Sequence, residues 1–314
     1  MHSEGPLSIL IIVFIFCLWI YTGGPSHPIS FAGPYLTPIT NVGQTSTGYG
    51  KGFTWTDAAH SVSLGGISAS YTPGSSEAVR EALFKNPSPY KGEVVIQEKS
   101  RITRTQGPWD EYVHLSVTSS LTDTLDLTGW RLTSAVTGMS VALPQAAPLA
   151  QEDGSGALSN VVVSSGQEVY VMTTVSPIRQ SFRENKCIGY LTENHSFTPR
   201  MHTSMCPSPR DEFNTSYNGG GEGSYDICQN YLYTLSSCVV PQATAPKDTP
   251  ASCVTFAKSK LSYAGCVGGH YGDADFAGRV WRLYLGKSTL LWKIPNDTIT
   301  LVDAAGKTVD VYSY

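Results

Sequence analysis

The sequence predicts a mainly β protein, a sandwich or barrel of short strands. Three observations carry this. Gly, Pro, Ser and Thr are abundant and there are 17 Tyr, a mixture that favours short strands and tight turns over long helices. Short runs alternate apolar and polar with a period of two, the pattern of strands buried on one face. Turn residues punctuate those runs. The 314 residues, 15% of them charged, are enough for one or two domains with a real core and are not of disordered composition. The net charge of −4, without a Lys/Arg cluster, gives nucleic acid no electrostatic footprint, so no nucleic-acid partner is expected.

Residues 7–20, LSILIIVFIFCLWI, are uncharged and are followed by Tyr21. A bilayer core takes about 20 apolar residues of helix, so the run is short. The flank before it holds Glu4 and no Lys or Arg, and Thr22-Gly23-Gly24 is followed by Pro25, which disfavours cleavage there. Residues 1–21 therefore read as an N-terminal transmembrane anchor, with the membrane as partner through residues 7–21. The alternative is a cleaved export signal and a secreted chain. Charge flanks do not set the orientation.

Residues 22–89 read as a linker or stalk. They are rich in Gly, Ser, Thr and Pro up to residue 75, and EAVREALFK then forms a short helix over 76–86, with Ser76 as N-cap and Pro87 as stop. Strand patterns follow. They are EVVI (93–96), EYVHLSVT (111–118), DLTGWRLTS (126–134), MSVAL (139–143), NVVVS (160–164) and EVYVMTT (168–174). Near the C-terminus come RVWRLYLG (279–286), TLLWKI (289–294), DTITLVD (297–303) and TVDVYSY (308–314), the last two joined by a tight turn over Ala304-Ala305-Gly306-Lys307. In 111–118, Val113, Leu115 and Val117 define a buried face, and Tyr112, His114 and Ser116 a wet one.

Four blocks stand in order: Glu111-Tyr112-Val113-x-Leu115; Asp126-Leu127-Thr128-Gly129-Trp130-x-Leu132; Gly166-Gln167-Glu168-Val169; and Asp297-Thr298-Ile299-x-Leu301-x-Asp303-x-x-Gly306-x-x-Val309-Asp310. Together they resemble the lamin-tail domain family, over about 90–175 and 270–314. The resemblance implies an immunoglobulin-like β-sandwich over 90–314 and a binding or scaffolding role, with no catalytic residue. The layout resembles bacterial, membrane-anchored members with a cysteine-containing insert. There is no heptad rod and no basic tail, so filament assembly and chromatin binding are not implied. The physical reading agrees with the sandwich: Gly129 permits a backbone conformation or close approach that a Cβ forbids, and Trp130 fills an inter-sheet core with Leu127, Leu132 and Trp281.

Residues 176–269 do not read as sandwich strands. They contain Cys187, Cys206, Cys228, Cys238, Cys253 and Cys266, whereas Cys17 lies in the apolar run. An even, clustered set behind an export-like segment suggests disulfides in an oxidising compartment, and no C-x2-C pair points to zinc. YDICQNYLYTLSS (225–237) predicts a helix with Tyr225, Cys228, Leu232 and Leu235 on one face. Residues 252–260 predict a second, with Ser252 as N-cap. An antiparallel hairpin of the two would pair Cys238 with Cys253 and Cys228 with Cys266, leaving Cys187 with Cys206.

No G-x-S-x-G, H-E-x-x-H or P-loop occurs, and no cofactor is implied. His195, His202 and His270 read as solvated loop residues. Asp273-Ala274-Asp275 resembles half of a calcium loop, but Ala277 stands at the third acidic position and no Glu closes it. Asn194, Asn214 and Asn296 begin glycosylation sequons, which matter only in a eukaryotic host. The expectation is a non-enzymatic, extracytoplasmic binding or structural module. Its partner surface is the insert, where Tyr217, Tyr225, Tyr231 and Tyr233 offer contacts to a protein or carbohydrate. The alternative is an extracytoplasmic hydrolase of wall polymer or nucleic acid, built around the insert from Asp273, Asp275 and His270.

Overall fold

The computed structural model describes residues 13, 14, 17, 60–64, 67–71, 84, 86–219, 221, 223–241 and 245–314. The chain divides into two compact units, Met1–Ala58 and Ala59–Tyr314, and nearly all described residues belong to the second. Among the described residues no helix is long and apolar enough to cross a membrane. Most of the apolar run 7–20, and the helix expected over 76–86, lie outside them.

Residues 22–75 are not all linker. β1 (His60–Leu64) and β2 (Ile67–Tyr71) form an antiparallel hairpin in which Leu64 pairs with Ile67. The missed signal is the alternation of HSVSL and ISASY on either side of a Gly-Gly pair, a sequence pattern that favours a hairpin.

The remaining strands are β3 (Val94–Ile96), β4 (Tyr112–Val117), β5 (Leu125–Asp126), β6 (Arg131–Ser134), β7 (Ser140–Ala142), β8 (Val162–Val163), β9 (Glu168–Met172), β10 (Phe182–Asn185), β11 (Ala277–Tyr284), β12 (Thr298–Val302) and β13 (Thr308–Ser313). A five-stranded sheet has the order β10-β11-β9-β4-β3, and a four-stranded sheet the order β13-β12-β6-β7. Pairing is antiparallel except between β11 and β9, which run parallel. Val113, Leu115, Val169, Val171 and Leu283 of the first sheet share one buried cluster with Leu132, Val141, Ile299, Leu301 and Val309 of the second. Period-two alternation put these side chains on facing surfaces. On one flank the sheet edges are joined: Ile96 N–H donates to Asp310 Oδ2 (2.7 Å), and Pro87 bridges to Thr308. The described chain is less purely β than its composition suggests, since helical residues are nearly as many as strand residues.

DLTGWRL is a turn and a core anchor rather than one strand. Trp130 N–H donates to the Leu127 carbonyl (3.1 Å), and Gly129 has φ +80°, as the third residue of a type II turn requires. Asp126 Oδ1 accepts from Thr128 N–H (2.8 Å) and Oδ2 from Asn160 (2.7 Å), holding the turn against the strand pair β5–β8. Leu127, Trp130, Leu132 and Trp281 are all buried in the cluster, with Tyr90 5.7 Å from the Trp130 ring. Trp130→Ala is expected to cost about 3–5 kcal/mol, the range for a buried aromatic truncated to Ala. Chemical denaturation of the two proteins measures it, and a loss below about 1 kcal/mol would remove Trp130 from the core.

TLLWKI is not a strand. Leu291 and Trp292 plug the core, and their N–H groups donate to the buried carboxylate of Glu111 (2.9 and 3.4 Å) instead of to a sheet. Nor is His114 wet: it is buried beneath Tyr170, whose ring stacks on it at 4.3 Å.

Candidate binding surface of the disulfide-bonded insert

β10 pairs with β11, Asn185 opposite Ala277, so the insert proper is 186–276, hung between two paired strands. It contains α1 (Pro209–Ser216), α2 (Ser224–Tyr233), α3 (Ala251–Lys260) and α4 (Tyr263–His270). It also has a core of its own, in which Phe213, Leu232, Ala257 and Leu261 pack with Ile178 and Phe182 beside the sheet. Helix α1 was missed although Ser208-Pro209-Arg210-Asp211 signals it: Ser208 caps by accepting from Asp211 N–H (3.1 Å), Pro209 takes the first turn, and acids follow. Helix α3 starts behind Pro250, with no side-chain cap; Ser252 lies inside it.

All six cysteines of the insert are in disulfides, but none in the expected pairs. The bonds are Cys187–Cys266, Cys206–Cys238 and Cys228–Cys253, in place of Cys187–Cys206, Cys228–Cys266 and Cys238–Cys253. The hairpin premise fails because the α2–α3 connection does not lead Cys238 back to α3. Cys238 adopts φ +61° and meets Cys206 over Gly189, where a Cβ would overlap the Cys238 sulfur. Cys228 is then opposite Cys253, and α4 brings Cys266 to Cys187 at the root of the insert.

The outer face is aromatic. Buried Phe213 lies 5.0 Å from the Tyr217 ring, 4.7 Å from Tyr225 and 6.3 Å from Tyr233. Tyr217 is buried, and Phe256 meets it edge-on at 5.1 Å, so it supports the surface rather than offering contacts. Tyr225, Ile227 and Tyr233 are exposed. The Arg210 guanidinium stands 4.3 Å over the Tyr233 ring, and the Tyr233 hydroxyl donates to Asn214 Oδ1 (3.3 Å). Two half-exposed tyrosines and an arginine held on a rigid aromatic base are the residue types that dominate interface energies. Sequence reading found the tyrosines and missed Arg210 and Phe213, which only the packing of α1 against α2 brings to them.

Beneath the insert lies a buried ionic group. Arg282 of β11 is fully buried. Its Nε donates to Glu184 Oε1 of β10 (2.5 Å), and Nη1 and Nη2 donate to the carbonyls of Pro199 (2.7 Å) and Arg200 (3.1 Å). His202 Nδ1 bonds Glu184 Oε2 (3.0 Å). Burial alone would raise the Glu184 pKa; the His202 hydrogen bond and the Arg282 charge outweigh it and hold the carboxyl below its ordinary range. The Glu184 hydrogen bond in turn raises His202. The guanidinium thus ties the insert segment 199–202 to the sheet.

Asp273 and Asp275 do converge, but on the ammonium of Lys186, at 2.9 and 2.5 Å, and His270 meets only the first of them. Among the described residues no group of three or more His, Cys, Asp or Glu is placed to hold a metal. His270 bonds Asp273 through Nδ1 (2.8 Å) and buried Glu212 through Nε2 (2.5 Å). An imidazole meeting carboxylates on both nitrogens satisfies both as imidazolium. Burial lowers the His270 pKa, and the two hydrogen bonds and carboxylate charges more than offset it, so the net shift is upward. A raised folded-state pKa gives stability that is complete below the unfolded value of about 6.5 and is lost as pH rises through the folded value. The link between α4 and α1 is therefore expected to loosen on the alkaline side of the ordinary imidazole range. Hydrogen exchange of α1 against pH checks this, since His270→Gln removes the pH step and an unchanged step would assign it elsewhere.

These features define a class: a two-sheet domain carrying a disulfide-bonded helical insert with an exposed aromatic face. No known family model matches the chain, and no curated protein matches it.

Proposed function

We propose that the chain is a non-enzymatic cell-surface binding module. In this reading an immunoglobulin-like, lamin-tail-like sandwich is held to the membrane through residues 7–21, and it presents the insert outside the cytoplasm to a protein or carbohydrate partner. The observation that carries the reading is the insert itself: three disulfides fix a rigid base, and Tyr225, Tyr233 and Arg210 stand on it. Such bonds persist in oxidising compartments. A rigid aromatic rim suits recognition because little side-chain freedom is lost on binding. The immunoglobulin-like reading is supported by the two sheets that share one core around Trp130.

The test is mass spectrometry after alkylation, with and without reduction, on protein from its native membrane, together with protease shaving of intact cells. The expected result is six alkylations of the insert that appear only after reduction, and an ectodomain removed by protease. Six thiols alkylated without reduction, in a domain protected from protease, would put it in a reducing compartment and sink the proposal.

A further inference from the structure

Five large apolar side chains crown one end of the sandwich, each at least 40% exposed: Trp109, Val136, Met139, Val175 and Leu290. They sit on four loops that one hydrogen-bond network ties together. Glu111, two residues after Trp109, is buried and accepts from Thr173 Oγ1 (2.5 Å), beside the Val175 loop, and from Leu291 N–H (2.9 Å), next to Leu290. Thr137 Oγ1 donates to the Leu291 carbonyl (3.1 Å) and accepts from Met139 N–H (3.2 Å). Val136 N–H donates to Asp297 Oδ1 (3.2 Å). The same loops leave the β4, β9 and β11 ends at which Tyr112 pairs with Met172 and Met172 with Tyr284. The apolar tips are thus presented together, on a rigid base.

The exposed charges of these loops are mostly positive. Three of the four acids of these loops, Asp110, Glu111 and Asp297, are buried and bonded to Arg101, to hydroxyls or to backbone N–H groups, and the fourth, Glu98, is exposed. Arg104, Lys287 and Lys293 are exposed. Apolar tips on four loops, one of them Trp, with exposed cations outnumbering the one exposed acid, match the chemistry of a bilayer interface with anionic headgroups. We propose that this end of the sandwich docks on an anionic lipid bilayer, with Trp109, Val136, Met139, Val175 and Leu290 entering the headgroup region and Arg104, Lys287 and Lys293 meeting the lipid charges. This surface is distinct from the insert, which leaves the sheet at the opposite end, where Asn185 pairs with Ala277.

The experiment is flotation of the full chain with vesicles of phosphatidylcholine alone and of phosphatidylcholine mixed with phosphatidylglycerol. Binding through the N-terminal apolar run is common to the tip variants, so the crown is read as the extra binding to the anionic vesicles. That increment is expected to fall at high salt. It should drop by roughly tenfold or more in Trp109→Ser/Leu290→Ser, the loss expected from two buried apolar side chains, and persist in Trp109→Phe. Thermal melting checks that the variants remain folded, as substitutions at exposed tips should. Equal binding to both vesicles, or an increment that the double variant retains, overturns the proposal. So does a dimer on gel filtration that the double variant dissolves, which would assign the crown to a second copy of the chain.

Discussion

Replacing Cys187 and Cys266 with serine is expected to destabilise the insert by about 4.5 kcal/mol, more than removal of either other disulfide. The bond spans a sequence separation of 79, against 32 for Cys206–Cys238 and 25 for Cys228–Cys253. Loop-closure entropy removed from the unfolded chain grows with the logarithm of that separation, giving about 4.5 kcal/mol for the first and about 3.5 kcal/mol for the others. Position adds to this. Cys187 lies two residues beyond β10 and Cys266 lies in α4, the last helix before β11, so this bond closes the root of the insert. Without it the helices are held to the sheet by Arg282, the Lys186 cluster and their own packing. Guanidinium denaturation followed by near-ultraviolet circular dichroism measures the change. The serine variant should show an early transition for the insert, ahead of the sandwich. A midpoint shift no larger than that of the Cys228–Cys253 variant would contradict this account.

Glu184→Ala is expected to cost about 3–5 kcal/mol, the range for breaking one partner of a buried ion pair. The guanidinium of Arg282 is left in place with its Nε unmet, while Nη1 and Nη2 keep the Pro199 and Arg200 carbonyls. Removing both charges, as Arg282→Met/Glu184→Leu, should recover most of the loss, because the burden is the uncompensated charge and not the missing contact. The pH dependence has a defined sign. The Glu184 pKa is depressed in the folded protein, so its contribution is present above the unfolded carboxylate value of about 4.3 and is lost as pH falls through the lower folded value. His202 runs the other way: its pKa is raised, so its contribution is complete below about 6.5 and fades as pH rises through the folded value. Wild-type stability at the insert–sheet junction should therefore decline towards both limits, and Glu184→Ala should abolish both slopes. Denaturation midpoints across pH for the two proteins decide it, and unchanged slopes in the variant would remove this pair from the linkage.

Local patterns reported what short-range physics decides. Alternation located most sandwich strands, since a half-buried strand must alternate, and it put Leu127, Trp130, Leu132 and Trp281 in the core. Its failures share a cause. TLLWKI has strand composition, but the Glu111 carboxylate, distant in sequence, takes the backbone N–H groups of Leu291 and Trp292. His114 alternates as a wet residue and is covered by Tyr170 from the neighbouring strand. In the insert, the tyrosines were visible as a residue class, whereas Tyr217 proved to be their buried support.

By itself, then, the sequence determined the β-rich architecture, the turn at Gly129, the core tryptophans and the presence of a cysteine-bearing insert. These follow from period-two burial, backbone sterics and composition, all read within a few residues. Only the tertiary structure decided the disulfide partners, the capture of Asp273 and Asp275 by Lys186, the burial of Arg282 against Glu184 and the gathering of five apolar tips at one end. Each of these depends on which distant segments meet. A chain of short strands with a long insert leaves that open until sheet pairing and helix packing bring the segments into contact.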